Sequence, residues 1–355
     1  MEIASHLQRA GAEIYLMPVT DHKTPPDIWP AEQLIEVRPA RIHYLLDGLG
    51  VARSVRKFAA SNPVDMVLGW QHEAAFLPGL APKMGFLFGM LAAFPYGAWS
   101  GRDTRWRTIK QLSDEFFRCR PLKKASIVFT PSEFTRQELI SLIGIPKEKI
   151  QVAPLGVDSV FNSIQHEPRS AIRNFIFFGS LASIKGVQDA VSALGQVKKD
   201  GYFNWKLKIA GWGDREQLME LIRQYGIESQ VEFLGALNRC ELVDQLAWAQ
   251  VAVLPSYSES FGLSIAEAQA SGLPVIAYRA GAVPEVVKHG STGLLVPRGD
   301  VAALVGAIIQ AFENPERFYQ MGLAGREHVR ARFSWEKSAQ IIHSSLLSLT
   351  GARRS

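Results

Sequence analysis

Along most of the chain, short apolar runs of the length of a strand alternate with longer segments in which apolar residues recur with the period of a helix. This alternation constrains the fold more than any other feature. Short apolar runs bounded by Gly, Pro or Ser predict buried strands, and most are followed by a segment with helical periodicity. Strands that alternate with helices are typical of α/β proteins with parallel sheets. The predicted strands are 13–19, 64–68, 86–91, 126–130 and 150–153 in the first half and 175–178, 206–210, 231–234, 251–254, 275–277 and 293–296 in the second.

The helical pattern and the chain length together predict two domains. The predicted helices lie at 47–59, 104–118 and 133–142, begin near residues 186, 214, 239, 262, 283 and 301, and include a C-terminal amphipathic helix at 336–349. A polar stretch at 158–173 contains no predicted strand and is interpreted as a linker. With 355 residues, two domains are expected. They are a first domain at 1–160, completed by the C-terminal helix 336–355, and a second domain at 161–335.

The composition is that of an ordinary globular protein of the cytoplasm. Hydrophobic residues make up 47% of the chain and charged residues 21%. The two cysteines, Cys119 and Cys240, lie far apart without the spacing of a metal site, so both are interpreted as reduced thiols. The first residues lack the pattern of a secretory signal. We therefore expect a cytoplasmic protein.

The net charge of +5 comes from one segment. Residues 102–124 carry eight Lys or Arg against three acidic residues, and the rest of the chain is formally neutral, so no nucleic-acid partner is expected. The uncharged stretch 84–101 contains Pro95 and four glycines, which favours a buried strand and an apolar loop over a membrane-spanning helix. A second interpretation is that aromatic and basic residues of 94–124 contact an anionic membrane surface from the cytoplasmic side.

Two carboxylates, Glu259 and Glu267, lie eight positions apart where a loop turns into a predicted helix at Gly262. Eight helical positions span about 12 Å, which fits a nucleotide sugar with one acid on the sugar hydroxyls and the other on the ribose. The backbone N–H groups at the helix start could then bind the diphosphate. Two solvated glutamates on an amphipathic helix would show the same spacing, so the spacing alone leaves both interpretations open.

The residues around this pair resemble the family 4 retaining glycosyltransferases. That family carries a Glu, seven residues and a second Glu, with Phe-Gly-Leu after the first, as Glu259 to Glu267 do here. The resemblance extends from about residue 125 to 335 and includes Lys185-Gly186, although Ser180 stands where the family has arginine. It implies the GT-B fold, an α/β architecture of two doubly wound Rossmann-like domains that face each other across a cleft. Arg215 and Arg279 are candidates to replace the missing charge.

The resemblance also implies the site and the reaction. Glu259 and Lys185 are expected to be catalytic, in a retaining transfer from a nucleotide-diphosphate sugar to a growing glycan, a lipid-linked sugar or a small glycoside, as in polysaccharide biosynthesis. No Asp-x-Asp occurs and the eight histidines form no cluster, so neither a metal nor another cofactor is expected. The implied donor-binding residues are Gly179, Ser180, Lys185, Gly211, Gly213, Leu237, Glu259, Ser260, Phe261, Gly262, Leu263 and Glu267.

The N-terminal part matches the family less closely. Members begin with a strand, a Gly-rich loop and a long helix, whereas residues 1–9 resemble only the end of that helix, so the first strand and the Gly-rich loop are expected to be missing. His72 follows a predicted strand near the place of an acceptor-side histidine in the family, and a solvated loop histidine is the alternative. Two other functions stay open. One is a GT-B nucleotide-sugar epimerase or hydrolase, and the other is a catalytically impaired protein that binds sugar nucleotides.

Overall fold

The structure is a computed structural model that describes residues 2–9, 11–15, 47–70, 75–84, 87–91, 117, 119–168 and 170–354. The chain folds into two compact units, residues 1–154 with 335–355, and residues 155–334. Val157 and Phe161 are buried in the hydrophobic core of the second unit. Asp158 caps the short helix Ser159–Ser163 by accepting a hydrogen bond from the Val160 N–H at 2.9 Å. The start of the predicted linker 158–173 is therefore a packed part of the second unit.

The first unit is built on a parallel sheet whose described strands follow one another in chain order. Its strands are β1 (Met66–Trp70), β2 (Leu87–Leu91), β3 (Ile127–Thr130) and β4 (Ile150–Val152). Its helices are α1 (Glu2–Arg9), α2 (Asp47–Ala59), α3 (Ala81–Met84), α4 (Arg120–Lys124), α5 (Glu133–Glu138) and the C-terminal helix Trp335–Arg354.

Residues of β3 divide between two hydrophobic clusters, one on each face of this sheet. Val128 packs in a cluster with Val55 of α2, whereas Phe129 packs in another with Leu7 of α1 and Ile342 of the C-terminal helix. Successive side chains of a strand point to opposite faces. The C-terminal helix and α1 therefore cover one face of the sheet and α2 covers the other, so the last segment of the chain belongs to the first unit.

The second unit is built on six parallel strands in the order β7-β6-β5-β8-β9-β10. The strands are β5 (Asn174–Phe178), β6 (Lys206–Ala210), β7 (Val231–Gly235), β8 (Val251–Val253), β9 (Val275–Tyr278) and β10 (Gly293–Val296). The chain runs outward from β5 to β7 and then returns to the other side of β5 with β8. In such doubly wound sheets, ligands bind at the carboxyl ends of the two strands where the order reverses, here β5 and β8.

Helices connect these strands and cover the sheet. They are α6 (Val187–Lys199), α7 (Glu216–Tyr225), α8 (Arg239–Trp248), α9 (Leu263–Ala270), α10 (Val283–Val286), α11 (Val301–Glu313) and α12 (Pro315–Arg332). Strands β5, β8, β9 and β10 are buried almost throughout, with Phe175, Val251 and Val275 fully inaccessible, whereas β6 and the edge strand β7 are partly exposed. Each strand is a short run of apolar or alternating residues bounded by turn residues, which is why its position could be predicted from the sequence within one residue.

Several helices differ from the prediction, including the short helices α3 and α4, which were not predicted. The helix α12 was not predicted, because its sequence is largely polar; it begins at Pro315, whose missing N–H is tolerated at a first helical position. The helix predicted at 133–142 is α-helical only to Glu138 and continues as a wider π turn, Leu139–Ile143, that ends at Gly144.

Several expectations fall on residues outside the described part of the chain. They are His72, most of the predicted helix 104–118, most of the proposed membrane-contact segment 94–124 and residues 16–19 of the first predicted strand. Residues 13–15 of that strand are described and are not in a strand. Among the described residues, none of the helices combines the length and the apolar character needed to cross a membrane.

Candidate active site

A pocket of about 270 Å³ lies in the second unit at the carboxyl ends of β5 and β8, where the strand order reverses. Four segments line it: the end of β5 with the loop that follows it, the loop after β8, the start of α9, and Leu155. Its lining residues are Leu155, Phe177, Phe178, Gly179, Ser180, Lys185, Leu254, Ser256, Glu259, Ser260, Phe261, Gly262, Leu263 and Ser264.

An ion pair joins the two residues that were expected to be catalytic. The Lys185 Nζ lies 2.7 Å from the Glu259 Oε1, and both side chains line the pocket. Glu259 is only 8% exposed, whereas the Lys185 side chain is 32% exposed. A buried carboxylate requires a partner of opposite charge or hydrogen-bond donors, and Lys185 provides this while keeping access to the pocket.

A close approach between two loops positions Lys185. Lys185 ends the short helix Ser183–Lys185, and the next residue, Gly186, has a φ of +69°. A Cβ at Gly186 would lie 2.0 Å from the Pro255 carbonyl oxygen, so only glycine permits this contact. The Ile184 carbonyl oxygen also accepts a hydrogen bond from the Tyr257 N–H at 2.8 Å. The loop that carries Lys185 is thereby fixed to the loop that carries Glu259.

A second close approach holds the backbone of Glu259. The Ala282 N–H donates to the Glu259 carbonyl oxygen at 2.9 Å. Gly281 has a φ of +55°, and a Cβ there would lie 2.2 Å from the same oxygen. The segment after β9 therefore presses against the Glu259 backbone from the side opposite the Lys185 loop.

The start of α9 offers backbone donors to the pocket. Gly262 is its N-cap residue, with a φ of +93°, and the first helical residues, Leu263 and Ser264, line the pocket. The first N–H groups of a helix have no acceptor within the helix, and the helix dipole favours negative charge there. The pocket thus combines a lysine with a helix N-terminus, an arrangement suited to an anion such as a diphosphate.

Four of the implied donor-binding residues, Gly211, Gly213, Leu237 and Glu267, lie outside the pocket lining. A Cβ at Gly211 would lie 1.7 Å from the Gly179 carbonyl oxygen, and one at Gly213 would lie 2.9 Å from the Leu181 Cβ. These two glycines let the loop after β6 pack directly behind the pocket loop after β5, so they support the pocket wall. Leu237 is partly buried against the core of the second unit.

Neither of the two arginines that were candidates to replace the family's arginine, Arg215 and Arg279, lines the pocket beside Ser180. The Ser180 Oγ accepts a hydrogen bond from the Ala182 N–H at 3.3 Å and so stabilises the turn before Lys185. The Arg215 guanidinium lies over the Phe233 ring at 5.3 Å from its centroid, and Arg279 is exposed beyond β9.

Glu267 lies on α9 beyond the pocket lining and is half-buried. Burial raises the pKa of its carboxyl group to about 7; the Arg239 guanidinium opposes this shift and the Asp158 carboxylate adds to it. Arg239 and Asp158 form an ion pair with each other. Glu267 is therefore a carboxyl group that titrates near neutral pH.

We expect replacing Glu267 with glutamine to change the pH dependence of stability. The pKa of Glu267 in the folded protein, about 7, exceeds its ordinary value of 4.5, so the folded state binds this proton more tightly and the resulting stability is lost as the pH rises from 4.5 through 7. The free energy of unfolding of the wild type, relative to Glu267→Gln, should fall by about 2 kcal/mol between pH 5 and pH 8. Urea unfolding of both proteins at the two pH values measures this, and an unchanged difference would contradict it.

Other residues that were not predicted from the sequence also build the site. Leu155, Phe177, Phe178, Leu254, Ser256 and Ser264 also line the pocket. Asp189, Tyr257, Tyr278 and Gly281 lie behind it and hold its loops. An aspartate in a helix or a tyrosine in a loop carries no spacing signal, and only the position of Gly281 in a tight loop after a strand could have been recognised.

The two parallel α/β units and the pocket at the strand reversal define a protein of the GT-B class. Residues 1–161 match the family described as Glycosyltransferase Family 4, and residues 162–328 match the family described as Glycosyl transferases group 1. Together the two matches run from residue 1 to residue 328, which lies within α12. The chain belongs to the family 4 glycosyltransferases, which confirms the family predicted from the sequence.

Individual relatives agree with this assignment. The chain is 30% identical over 220 residues to a glycogen synthase of Mycobacterium tuberculosis, a match that covers 61% of this chain and 53% of that protein, so it spans about half of that relative. It is 28% identical over 332 residues to a GDP-mannose-dependent alpha-(1-6)-phosphatidylinositol monomannoside mannosyltransferase of the same species, covering 87% and 82%. The solved sucrose-phosphate synthase of Thermosynechococcus elongatus superposes with a TM-score of 0.83 at 21% identity, covering 99% and 92%.

Proposed function

We propose that the protein is a retaining, metal-independent glycosyltransferase that uses a nucleotide-diphosphate sugar as donor. The observation that carries this proposal is the Lys185–Glu259 pair, with 2.7 Å between Nζ and Oε1, in a pocket that also includes the start of α9. The pocket places a positive charge, a negative charge and backbone N–H donors in one small volume. A sugar diphosphate needs all three, since it carries phosphate charges next to a carbon that becomes positive as the leaving group departs.

In this proposal the donor diphosphate binds between Lys185 and the N–H groups at the start of α9. A lysine ammonium has three N–H donors, and one of them serves Glu259 in the structure. The other two can donate to phosphate oxygens. Within the described part of the chain, no group of three or more His, Cys, Asp or Glu residues is arranged to hold a metal ion. Lys185 and the helix N-terminus would stabilise the leaving diphosphate directly.

The proposed reaction retains the configuration at the anomeric carbon. The bond between that carbon and the phosphate oxygen breaks, the acceptor oxygen bonds to the same face of the carbon, and the acceptor proton passes to the leaving phosphate. Glu259 would stabilise the positive charge that develops at the sugar. Retaining glycosidases instead use two carboxylates about 5 Å apart, and Glu259 is the only carboxylate among the described residues that line the pocket. The two-carboxylate arrangement of those glycosidases is therefore not present in the described pocket lining, and it is the family resemblance that supports a front-face transfer.

The acceptor in this proposal is a hydroxyl group of a growing glycan, a lipid-linked sugar or a small glycoside. The relatives support these classes by their names, since one is a glycogen synthase and another acts on a phosphatidylinositol mannoside. A lipid-linked acceptor would place the protein at the inner face of the membrane, in agreement with the sequence-based prediction of a surface contact through 94–124.

The proposal is tested with UDP-, GDP-, ADP- and dTDP-sugars. A donor at 100 times its Kd adds about 2.7 kcal/mol of stability, so a thermal-shift screen should identify the nucleotide. Product analysis with that donor, a glycan acceptor and an excess of chelator should then show transfer with retained configuration, at the rate measured with added Mg²⁺.

Three other outcomes of these experiments would each contradict a different part of the proposal. Loss of transfer with chelator would contradict the metal-independent reaction. Donor hydrolysis or epimerisation without transfer to any acceptor would show the epimerase or hydrolase alternative to be right. Donor binding with neither transfer nor hydrolysis would show that the chain is a catalytically impaired binding protein.

A further inference from the structure

One carboxylate oxygen behind the pocket accepts hydrogen bonds from two tyrosines. The Asp189 Oδ2 lies 2.7 Å from the Tyr257 hydroxyl and 2.6 Å from the Tyr278 hydroxyl. The two rings meet edge to face with 5.4 Å between their centroids, and Tyr278 is fully buried. The three residues are far apart in the chain and none of them lines the pocket.

The three residues of this cluster come from the three segments that position the Lys185–Glu259 pair. Asp189 lies in the first turn of α6, directly after the Lys185 loop, and its N–H donates to the Gly186 carbonyl oxygen at 3.0 Å. Tyr257 precedes Glu259 by two residues in the loop after β8. Tyr278 ends β9, and the turn that follows it contacts the Glu259 backbone.

The cluster connects these three segments to one another through the two hydrogen bonds to Asp189. Tyr257 donates two hydrogen bonds towards this side of the pocket, from its N–H to the Ile184 carbonyl oxygen in the Lys185 loop and from its hydroxyl to Asp189 at the start of α6. The hydroxyl contact thus adds a restraint on the distance between the two loops to the backbone hydrogen bond and the Lys185–Glu259 ion pair. Because Tyr278 bonds to the same oxygen, the segment that holds Glu259 from the opposite side is tied to the same point.

Both tyrosine hydroxyl groups keep their protons at neutral pH. Burial and the hydrogen bond to Asp189 raise the pKa of Tyr257 to about 12 and also raise the pKa of Tyr278. Both tyrosines therefore remain hydrogen-bond donors to Asp189 at neutral pH.

We infer that Asp189, Tyr257 and Tyr278 form a positioning cluster that holds Lys185 against Glu259 and thereby sets the rate of sugar transfer. The inference rests on the proposed function, since it assigns the cluster an effect on the charge that stabilises the leaving diphosphate. None of the three residues lines the pocket in which the donor is proposed to bind. They act through the position of Lys185, and their removal should matter only while Lys185 is present.

The test compares Tyr257→Phe and Tyr278→Phe with Tyr202→Phe. Tyr202 is a matched control in the same unit, because its hydroxyl also donates to a carboxylate, the Glu313 Oε1 at 3.2 Å, but away from the pocket. We expect the two cluster variants to lower kcat about tenfold each and the affinity for the free nucleoside diphosphate about threefold, since transition-state charge is affected more than ground-state binding. The control variant should keep wild-type values of both.

The decisive measurement repeats Tyr257→Phe in a Lys185→Ala background. If the tyrosine acts through Lys185, its removal should have little further effect on kcat or on nucleoside diphosphate affinity there, because the interaction is already lost. Asp189→Asn is a second variant of the same size that keeps an oxygen acceptor without the charge, and it should lie between the wild type and the tyrosine variants.

Equal effects of Tyr257→Phe in both backgrounds, or cluster variants that match Tyr202→Phe, would overturn the inference and leave the cluster a general stabilising contact. The affinity measurement separates this from a failure of the proposed function. If the wild type binds a nucleoside diphosphate without transferring sugar, the proposed function fails, while the nucleoside diphosphate affinities in the two backgrounds still decide whether the cluster positions Lys185.

Discussion

Replacing Lys185 with alanine is expected to lower the turnover number by a factor of about 10² or more, as for the loss of one charge-stabilising donor in an active site. The side chain lies in the pocket with access to solvent, and its Nζ is 2.7 Å from the Glu259 carboxylate. Its loss would remove the positive charge nearest to the proposed diphosphate position. It would also leave the buried Glu259 carboxylate without this partner, which costs about 1–3 kcal/mol of stability. Initial rates at saturating donor and urea unfolding measure the two effects.

A second lysine, at the far end of the helix that follows Lys185, provides the control. Lys199 ends α6, is exposed, and has its Nζ 4.8 Å from the centroid of the Tyr225 ring, away from the pocket. Lys199→Ala should therefore keep the wild-type turnover number. A wild-type rate for Lys185→Ala would show that the pocket lysine has no part in transfer, and an equal loss in both variants would point to a general effect of charge.

Replacing Gly186 with alanine is expected to destabilise the second unit and to lower activity together. The new Cβ would lie 2.0 Å from the Pro255 carbonyl oxygen, so the loops that carry Lys185 and Glu259 must move apart. Overpacking of this kind costs about 1–3 kcal/mol, in addition to the cost of a left-handed conformation for alanine. A displacement of about 1 Å between reacting groups can reduce the rate by about 10². Urea unfolding and initial rates on the same preparation give both quantities.

Gly226 separates the steric effect from the backbone effect. It has a similar φ, +62° against +69° for Gly186, but a Cβ there would have no atom within 4 Å. Gly226→Ala should therefore show only the cost of the left-handed conformation and should keep wild-type turnover per folded molecule. If the two alanine variants were equally stable and equally active, the close approach of the two pocket loops would have no energetic importance.

The sequence allowed the strands of the second unit to be placed within one residue, because each forms a short apolar or alternating run between turn residues, and β5, β8, β9 and β10 are buried on both faces. The same pattern identified the loops after β5 and β8, and with them Lys185 and Glu259. Such local patterns could be recognised without the tertiary structure, because the periodicity of strands and helices depends on residues that are close in sequence.

Contacts between distant segments were not predictable in the same way. Gly211 and Gly213 were expected in the donor pocket, yet they pack behind Gly179 and Leu181 and support its wall. The sequence contains no signal for this, because the contact depends on how closely the loop after β6 approaches the loop after β5. The helix Pro315–Arg332 was missed for a different reason, since its polar residues hide the apolar periodicity on which the prediction depends.

The sequence by itself determined the class of fold, the succession of strands along the second unit, the family, and the identity of the two charged residues in the pocket. The tertiary structure alone decided that Lys185 and Glu259 form an ion pair, that glycines at 186 and 281 permit this approach, and that Asp189 ties the three supporting segments together. The physical reason is that periodicity is a property of neighbouring residues. The distance between Lys185 and Glu259, 74 positions apart, depends on the packing of a whole sheet and its loops.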